Sequence, residues 1–278
     1  MNAIIDIGGG HRGIYGAGVF DRLLDENIEF DCCIGVSAGS ANISSYLAKQ
    51  RGRNYRFYTE YAFRKEYMSL NNIKTHNSFI DLDFMYSVLT VSTGEDPIDY
   101  ETINKYKGKL FVVATKDSTG KPHYFENKDI NFDDFKILHA SSALPVICNS
   151  CEIDGERYYD GGISDPIPVE KAFKEGCEKA VVILTKPIEY RNNGMVDSLC
   201  AKIIRKNHPI ISECLKTHCK TYNDAVENLI ELEKQGRCLI VCPDDCCKVN
   251  TLSRNRQNLD LLYKKGYEDG RKIMDFIK

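Results

Sequence analysis

The chain has 278 residues, 42% apolar and 28% charged, a globular composition long enough for one large α/β domain or two small ones. Its 37 Lys and Arg against 40 Asp and Glu leave a net charge of −3, so no basic excess marks nucleic acid as a partner. No apolar run approaches the roughly 20 residues of a membrane-spanning helix, and Met1-Asn2-Ala3-Ile4-Ile5-Asp6 carries no visible secretion signal. The twelve cysteines therefore read as reduced thiols of a cytoplasmic protein, with Cys32, Cys33, Cys238 and Cys242 serving as small hydrophobes in apolar runs.

In chain order, Ala3-Ile4-Ile5-Asp6-Ile7 predicts a buried strand that Gly8-Gly9-Gly10 ends abruptly. Val19, Leu23 and Leu24 then recur at helical spacing, and Glu26-Asn27 close that helix. A second strand, Cys32-Cys33-Ile34-Gly35-Val36, runs into Ser37 and a helix reaching about Gln50. Strand, helix, strand, helix within fifty residues is the signature of a parallel sheet covered by helices. Residues 51–106 are aromatic, charged and poor in β-branched runs, which predicts a helical insertion forming a lid or pocket wall. Later strands are expected at 110–114, 180–184 and 238–242, a hairpin turn at Asp154-Gly155, and a closing amphipathic helix around 255–278. No repeat or linker interrupts the chain, so one domain spanning 1–278 is expected.

Three patterns bear chemistry. Gly35-Val36-Ser37-Ala38-Gly39 is G-x-S-x-G between a predicted strand and a predicted helix, the context a nucleophile elbow requires. Such a serine needs a base, and His208 and His218 are available by position, but an α/β-hydrolase elbow follows several strands and here only one precedes it. Gly8-Gly9-Gly10-His11-Arg12-Gly13 exposes backbone N–H groups at a strand end, as an oxyanion hole does. The same letters satisfy the dinucleotide fingerprint at Gly8, Gly10 and Gly13, with Glu29 or Asp31 as the ribose-binding acid; that reading leaves the second glycine-flanked turn unexplained. Asp160-Gly161-Gly162 alone reads as a tight turn. The spacings Cys148/Cys151 and Cys242/Cys246 are knuckle-like without making a zinc site, and no metal or other cofactor is expected.

Taken in order, Gly-Gly-Gly-x-Arg-Gly, Gly-x-Ser-x-Gly, Ala140-Ser141-Ser142-Ala143-Leu144-Pro145 and Asp-Gly-Gly resemble the bacterial branch of the patatin-like phospholipase family. Val182-Ile183-Leu184-Thr185-Lys186-Pro187 and Tyr263-Lys264-Lys265-Gly266-Tyr267 extend the likeness over nearly the whole chain. The resemblance implies a three-layer α/β/α fold with a mostly parallel central sheet, and a Ser-Asp dyad without histidine. Ser37 is then the nucleophile and Asp160 its base. The amides of Gly9, Gly10 and His11 form the oxyanion hole steadied by Arg12, Gly35 and Gly39 flank the elbow, and 140–145 shapes the site. The substrate implied is an acyl ester of a lipid, with no oligomeric state specified.

Phe57, Tyr58, Tyr61, Phe63, Tyr67 and Met68 read first as core of the inserted layer, and second as an acyl channel or membrane-touching surface. Arg51, Arg53, Arg56, Arg64 and Lys65 among them suit transient contact with anionic lipid, or a solvated face. A catalytically silent binding or regulatory protein on the same fold is the alternative function.

Overall fold

Residues 1–277 are described by the structure, a computed structural model. Two β-α units open it: β1 (Asn2–Asp6) leads through a helical turn into α1 (Ile14–Asp25), and β2 (Cys32–Val36) leads into α2 (Ala38–Leu47). The aromatic stretch supplies the helices α3 (Arg53–Thr59), α4 (Leu70–His76) and α5 (Tyr100–Asn104), with a π-helical turn at Phe84–Leu89. There follow β3 (Lys109–Lys116), β4 (Pro122–Glu126), α6 (Lys136–Ser142), and the hairpin of β5 (Cys151–Ile153) and β6 (Glu156–Asp160). Its turn is Asp154-Gly155, with φ of 51° and 76°, the two left-handed positions a type I′ turn requires. After α7 (Val169–Lys174) and β7 (Lys179–Ile183) come α8 (Met195–Ile204), the 26-residue α9 (Pro209–Lys234), β8 (Cys238–Val241), α10 (Arg256–Asp269) and α11 (Arg271–Ile277).

The strands form one sheet in the order β5-β6-β3-β2-β1-β7-β8, with β4 also pairing β3. Five adjacent strands, β3, β2, β1, β7 and β8, run parallel, and the remaining three add antiparallel pairings on the β3 side. Alternate residues divide between two cores. Ile4, Cys33, Leu110 and Val181 meet α1, α2 and α10 on one face, while Ile5, Ile34, Val113 and Val182 meet Val169 of α7 and Val226 and Leu229 of α9 on the other. Burial on both faces is why the parallel strands are continuous apolar runs. The result is the expected α/β/α sandwich.

This topology assembles the candidate site. Because β1, β2 and β7 share one direction, the glycine loop, Ser37 and Thr185 all emerge at the same edge of the sheet. On the other side of β2, Val36 pairs with Val113 of β3, and the next β3 residue, Ala114, pairs with Asp160 of β6. Thus β3 brings the ends of β2 and β6 together, and with them Ser37 and Asp160, 123 positions apart in the chain.

Candidate active site

Since β2 ends at Val36 and α2 begins at Ala38, Ser37 makes the turn alone, at φ 56° and ψ −134°. A serine holds this sparsely populated conformation only when its surroundings over-determine it. Here its N–H donates to Ser141 Oγ at 2.9 Å, and its carbonyl accepts from Ser40 N at 2.9 Å and Ser40 Oγ at 2.6 Å. The flanking glycines answer to close approach. A Cβ on Gly39 would lie 2.1 Å from the Asp6 carbonyl oxygen, and one on Gly35 2.4 Å from the Ser40 Cα.

Asp160 is buried at the end of β6, where its N–H donates to the Ala143 carbonyl at 3.0 Å and its Oδ1 accepts from Gly162 N at 2.8 Å. Segment 140–145 therefore fixes both residues, the serine through Ser141 and the aspartate through Ala143. Burial raises the Asp160 carboxyl to about 6, opposed by the Ser37 hydroxyl, the Gly162 N–H and, least, the charge of His218. The Ser37 hydroxyl favours the ionised form, while Oδ2 has no hydrogen-bond partner among the described residues.

The glycine loop follows β1 with Gly8, Gly9 and Gly10 at φ of 66°, 128° and 60°. Gly8 N donates to Asp6 Oδ1 at 2.9 Å, while Asp6 Oδ2 accepts from Asn42 Nδ2 at 2.8 Å; burial raises this carboxyl too to about 6. The amides of Gly9 and Gly10 engage no acceptor among the described residues. The third expected donor is corrected: His11 N–H donates to the Thr251 carbonyl at 3.0 Å, so it is not free to meet an oxyanion. The His11 side chain donates from Nδ1 to the Ser253 carbonyl, which can only accept, and this leaves Nε2 a buried acceptor without a partner. Burial holds the imidazole below its ordinary pKa, the Ser253 bond opposing. Arg12 reaches Thr251 Oγ1 at 3.1 Å, and Thr185 Oγ1 donates to the Gly8 carbonyl. The segment between β8 and α10 thus straps the loop down, a contribution the sequence reading missed because two of its three bonds run through backbone carbonyls.

Gly10, His11, Ser37, Tyr58 and Tyr67 line one cavity of about 40 Å³. Phe57, Tyr58, Tyr61, Tyr67 and Met68 are all buried, as core, and three of them wall this cavity. The neighbouring cations are mostly engaged: Arg53 and Arg56 with Asp96, Arg51 with Asp25, and Arg64 with Glu95. This segment is accordingly not a free cationic face for lipid. His208 and His218 bond to Asp117 and Asp197 at 2.9 and 2.8 Å, not to Ser37. The dinucleotide reading fails on register. Asp31 precedes β2 and its side chain accepts from Asn2 N, at the opposite end of β1 from the glycine loop, and Glu29 pairs with Lys49. Among the described residues, no three His, Cys, Asp or Glu side chains gather as a metal would need.

A family model described as patatin-like phospholipase matches residues 8–173, a stretch that contains the glycine loop, Ser37 and Asp160. The chain belongs to the patatin-like phospholipase family. A second model, for a domain of unknown function (DUF6363), matches residues 208–278, which include the strap on the glycine loop. A relative in Escherichia coli strain K12, the uncharacterized protein YjjU, is 33% identical over 190 residues, 66% of this chain and 52% of the relative. The chain thus spans about half the length of that curated relative. Among solved structures, VipD from Legionella pneumophila is similar over 99% of this chain and 66% of its own, at 14% identity and a TM-score of 0.49. Among the described residues of this patatin-like chain, no helix is long and apolar enough to cross a membrane.

Proposed function

We propose that the protein is a serine hydrolase of lipid acyl esters, of the phospholipase, lysophospholipase or esterase type, with Ser37 as nucleophile and Asp160 as base. The observation that carries this reading is the strained Ser37 beside a buried carboxylate whose Oδ2 lacks a partner, next to two unengaged glycine amides. Ser37 Oγ attacks the ester carbonyl carbon as its proton passes to Asp160. The carbonyl oxygen becomes an oxyanion held by the Gly9 and Gly10 amides, which Arg12 and the strap keep in place. Collapse expels the alcohol, which leaves with the proton from Asp160. Water then gives a proton to Asp160, attacks the acyl-serine and releases the acid, and Ser37 regains its proton.

A carboxylate of ordinary pKa near 4 is a weak base toward a hydroxyl, but desolvation to about 6 narrows the mismatch, and preorganised amides lower the energy of the charge that forms. An acyl chain enters by displacing the aromatic wall, since the resting cavity is far smaller than the several hundred Å³ of usual ligand pockets. The test is intact-protein mass after incubation with a fluorophosphonate, followed by a screen of acyl esters. One adduct is expected on the wild type and none on Ser37→Ala. A folded wild type that takes no adduct and cleaves no ester overturns the assignment in favour of a silent binding protein.

A further inference from the structure

Helix α8 presents its apolar side chains the wrong way round for a helix whose only partner is this protein. Met195, Val196, Leu199 and Ile203 are 70%, 72%, 60% and 59% exposed, whereas Asp197, Ala201 and Ile204 face inward. At about 100° per residue the four exposed side chains occupy an arc of roughly 100°, a complete amphipathic stripe. Single exposed apolar residues are ordinary on protein surfaces, but a contiguous stripe of large ones marks an interaction site. Lys202 borders that stripe, and Arg205 and Lys206 follow just past the C-terminal end of the helix; all three are exposed and none is in an ion pair among the described residues. The one acid of the helix, Asp197, is engaged with His218 at 2.8 Å and Asn192 at 2.8 Å; burial is the largest single effect and opposes its ionisation, but the bond and charge of His218, the Asn192 bond and the Lys186 charge together outweigh it and keep the carboxyl below its usual pKa. Outward, the helix therefore offers apolar and cationic groups and the hydroxyl of Ser198, and no free acid.

Its place in the fold ties this face to the candidate site. The inner residues Ala201 and Ile204 pack with Ile211 and Leu215 of α9 on Tyr159 and Ile163, which flank Asp160 in the chain. The helix also follows β7, whose end supplies Thr185 to the glycine loop. Asp197 of α8 bonds His218, whose charge acts on Asp160, so the helix begins near the candidate site.

We infer that α8 is an interfacial helix by which the protein docks on an anionic lipid surface, with Met195, Val196, Leu199 and Ile203 inserted among the acyl chains and Lys202, Arg205 and Lys206 at the headgroups. The cations decide for an anionic lipid surface over a second copy of the chain, because anionic headgroups complement them whereas the same helix face of a second copy offers no free acid to pair with them. This rests on the lipid-ester reading above, and it names where the substrate is met: in a bilayer, at the α8 face.

The test is co-sedimentation of the full chain with phosphatidylcholine vesicles, with and without phosphatidylglycerol, alongside size-exclusion chromatography and hydrolysis of a water-soluble short-chain ester. Wild type is expected to bind the vesicles containing phosphatidylglycerol and to bind phosphatidylcholine alone more weakly. Leu199→Glu/Ile203→Glu, at exposed positions that leave the fold intact, is expected to lose about tenfold or more in vesicle affinity while cleaving the soluble ester at the wild-type rate. Lys202→Glu/Arg205→Glu/Lys206→Glu is expected to lose the preference for phosphatidylglycerol. Unchanged vesicle binding by the apolar variant overturns the proposal, as does a wild-type dimer that ignores vesicles and is dissociated by that variant. A wild type that binds vesicles through α8 but cleaves no ester keeps the surface and removes the catalytic reading.

Discussion

At the scale of single residues, Asp160 bears opposite consequences for activity and stability. Its carboxyl titrates at about 6 when folded, against 3.8 for the ordinary group, because burial disfavours the charge. The folded protein then holds the proton to higher pH than the unfolded chain, so the favourable contribution is complete below 3.8 and is lost as pH rises through 6. At pH 7 the ionised carboxylate costs the fold on the order of 1–3 kcal/mol. Asp160→Asn, which keeps an oxygen for Gly162 N–H, is expected to raise the melting temperature at pH 7 while lowering turnover by about 10³-fold or more. Thermal denaturation and ester hydrolysis on one preparation check both. In the wild type kcat/KM is expected to fall on the acid side with a midpoint near 6, since only the ionised base accepts the serine proton. Ser141 is the complementary case. Ser141→Ala leaves the buried Ser37 N–H without its acceptor, and is expected to cost about 1–2 kcal/mol of stability and to slow fluorophosphonate labelling, because the elbow loses its clamp.

At the scale of elements, what could be read in advance follows from how each element is buried. The central strands announce themselves because both faces are covered, so Ile4-Ile5 and Val181-Val182 appear as unbroken apolar runs. Strand β4, Pro122-His123-Tyr124-Phe125-Glu126, escapes notice because only Phe125 is buried. Helix α9 escapes for a different reason. Its buried residues fall in two groups, Ile211, Ser212 and Leu215 near the start and Val226, Leu229 and Leu232 near the end, with a polar span between that bridges two separate cores. A sequence window in the middle of α9 sees no stripe. Within the site, Ser37 is visible because a sharp turn demands glycines at fixed spacing, whereas Thr251 and Ser253 accept through backbone carbonyls that any residue carries. The contact of α1 with α10 shows how little of such packing a motif records. A Cβ on Gly266 would lie 2.0 Å from the Tyr15 carbonyl oxygen, and one on Gly18 2.1 Å from that of Tyr263. Gly266→Ala is expected to push the helices apart at a cost of about 1–3 kcal/mol, read from the denaturation midpoint.

At the scale of the whole molecule, the question is whether the two matched regions, 8–173 and 208–278, behave as one unit. Their contacts argue that they do. β8 pairs with β7 in the same sheet as the strands around Ser37, and α10 joins the core that contains α1 and α2. Beyond packing, Thr251 and Ser253 hold His11 and Arg12, so the geometry of the Gly9 and Gly10 amides depends on residues outside the patatin-like match. Unfolding the C-terminal region would strip one face of β7 and release the glycine loop, which leaves no plausible stable intermediate in which the rest stays native. The expected outcome is a single cooperative transition, with calorimetric and van't Hoff enthalpies equal. Gly266→Ala, far from Ser37 in sequence and buried in the α1–α10 contact, then shifts that one transition and lowers fluorophosphonate labelling over the same range of temperature. Two transitions, with labelling surviving the first, would instead make 208–278 a separable module, and would detach the strap from the chemistry it is argued to support.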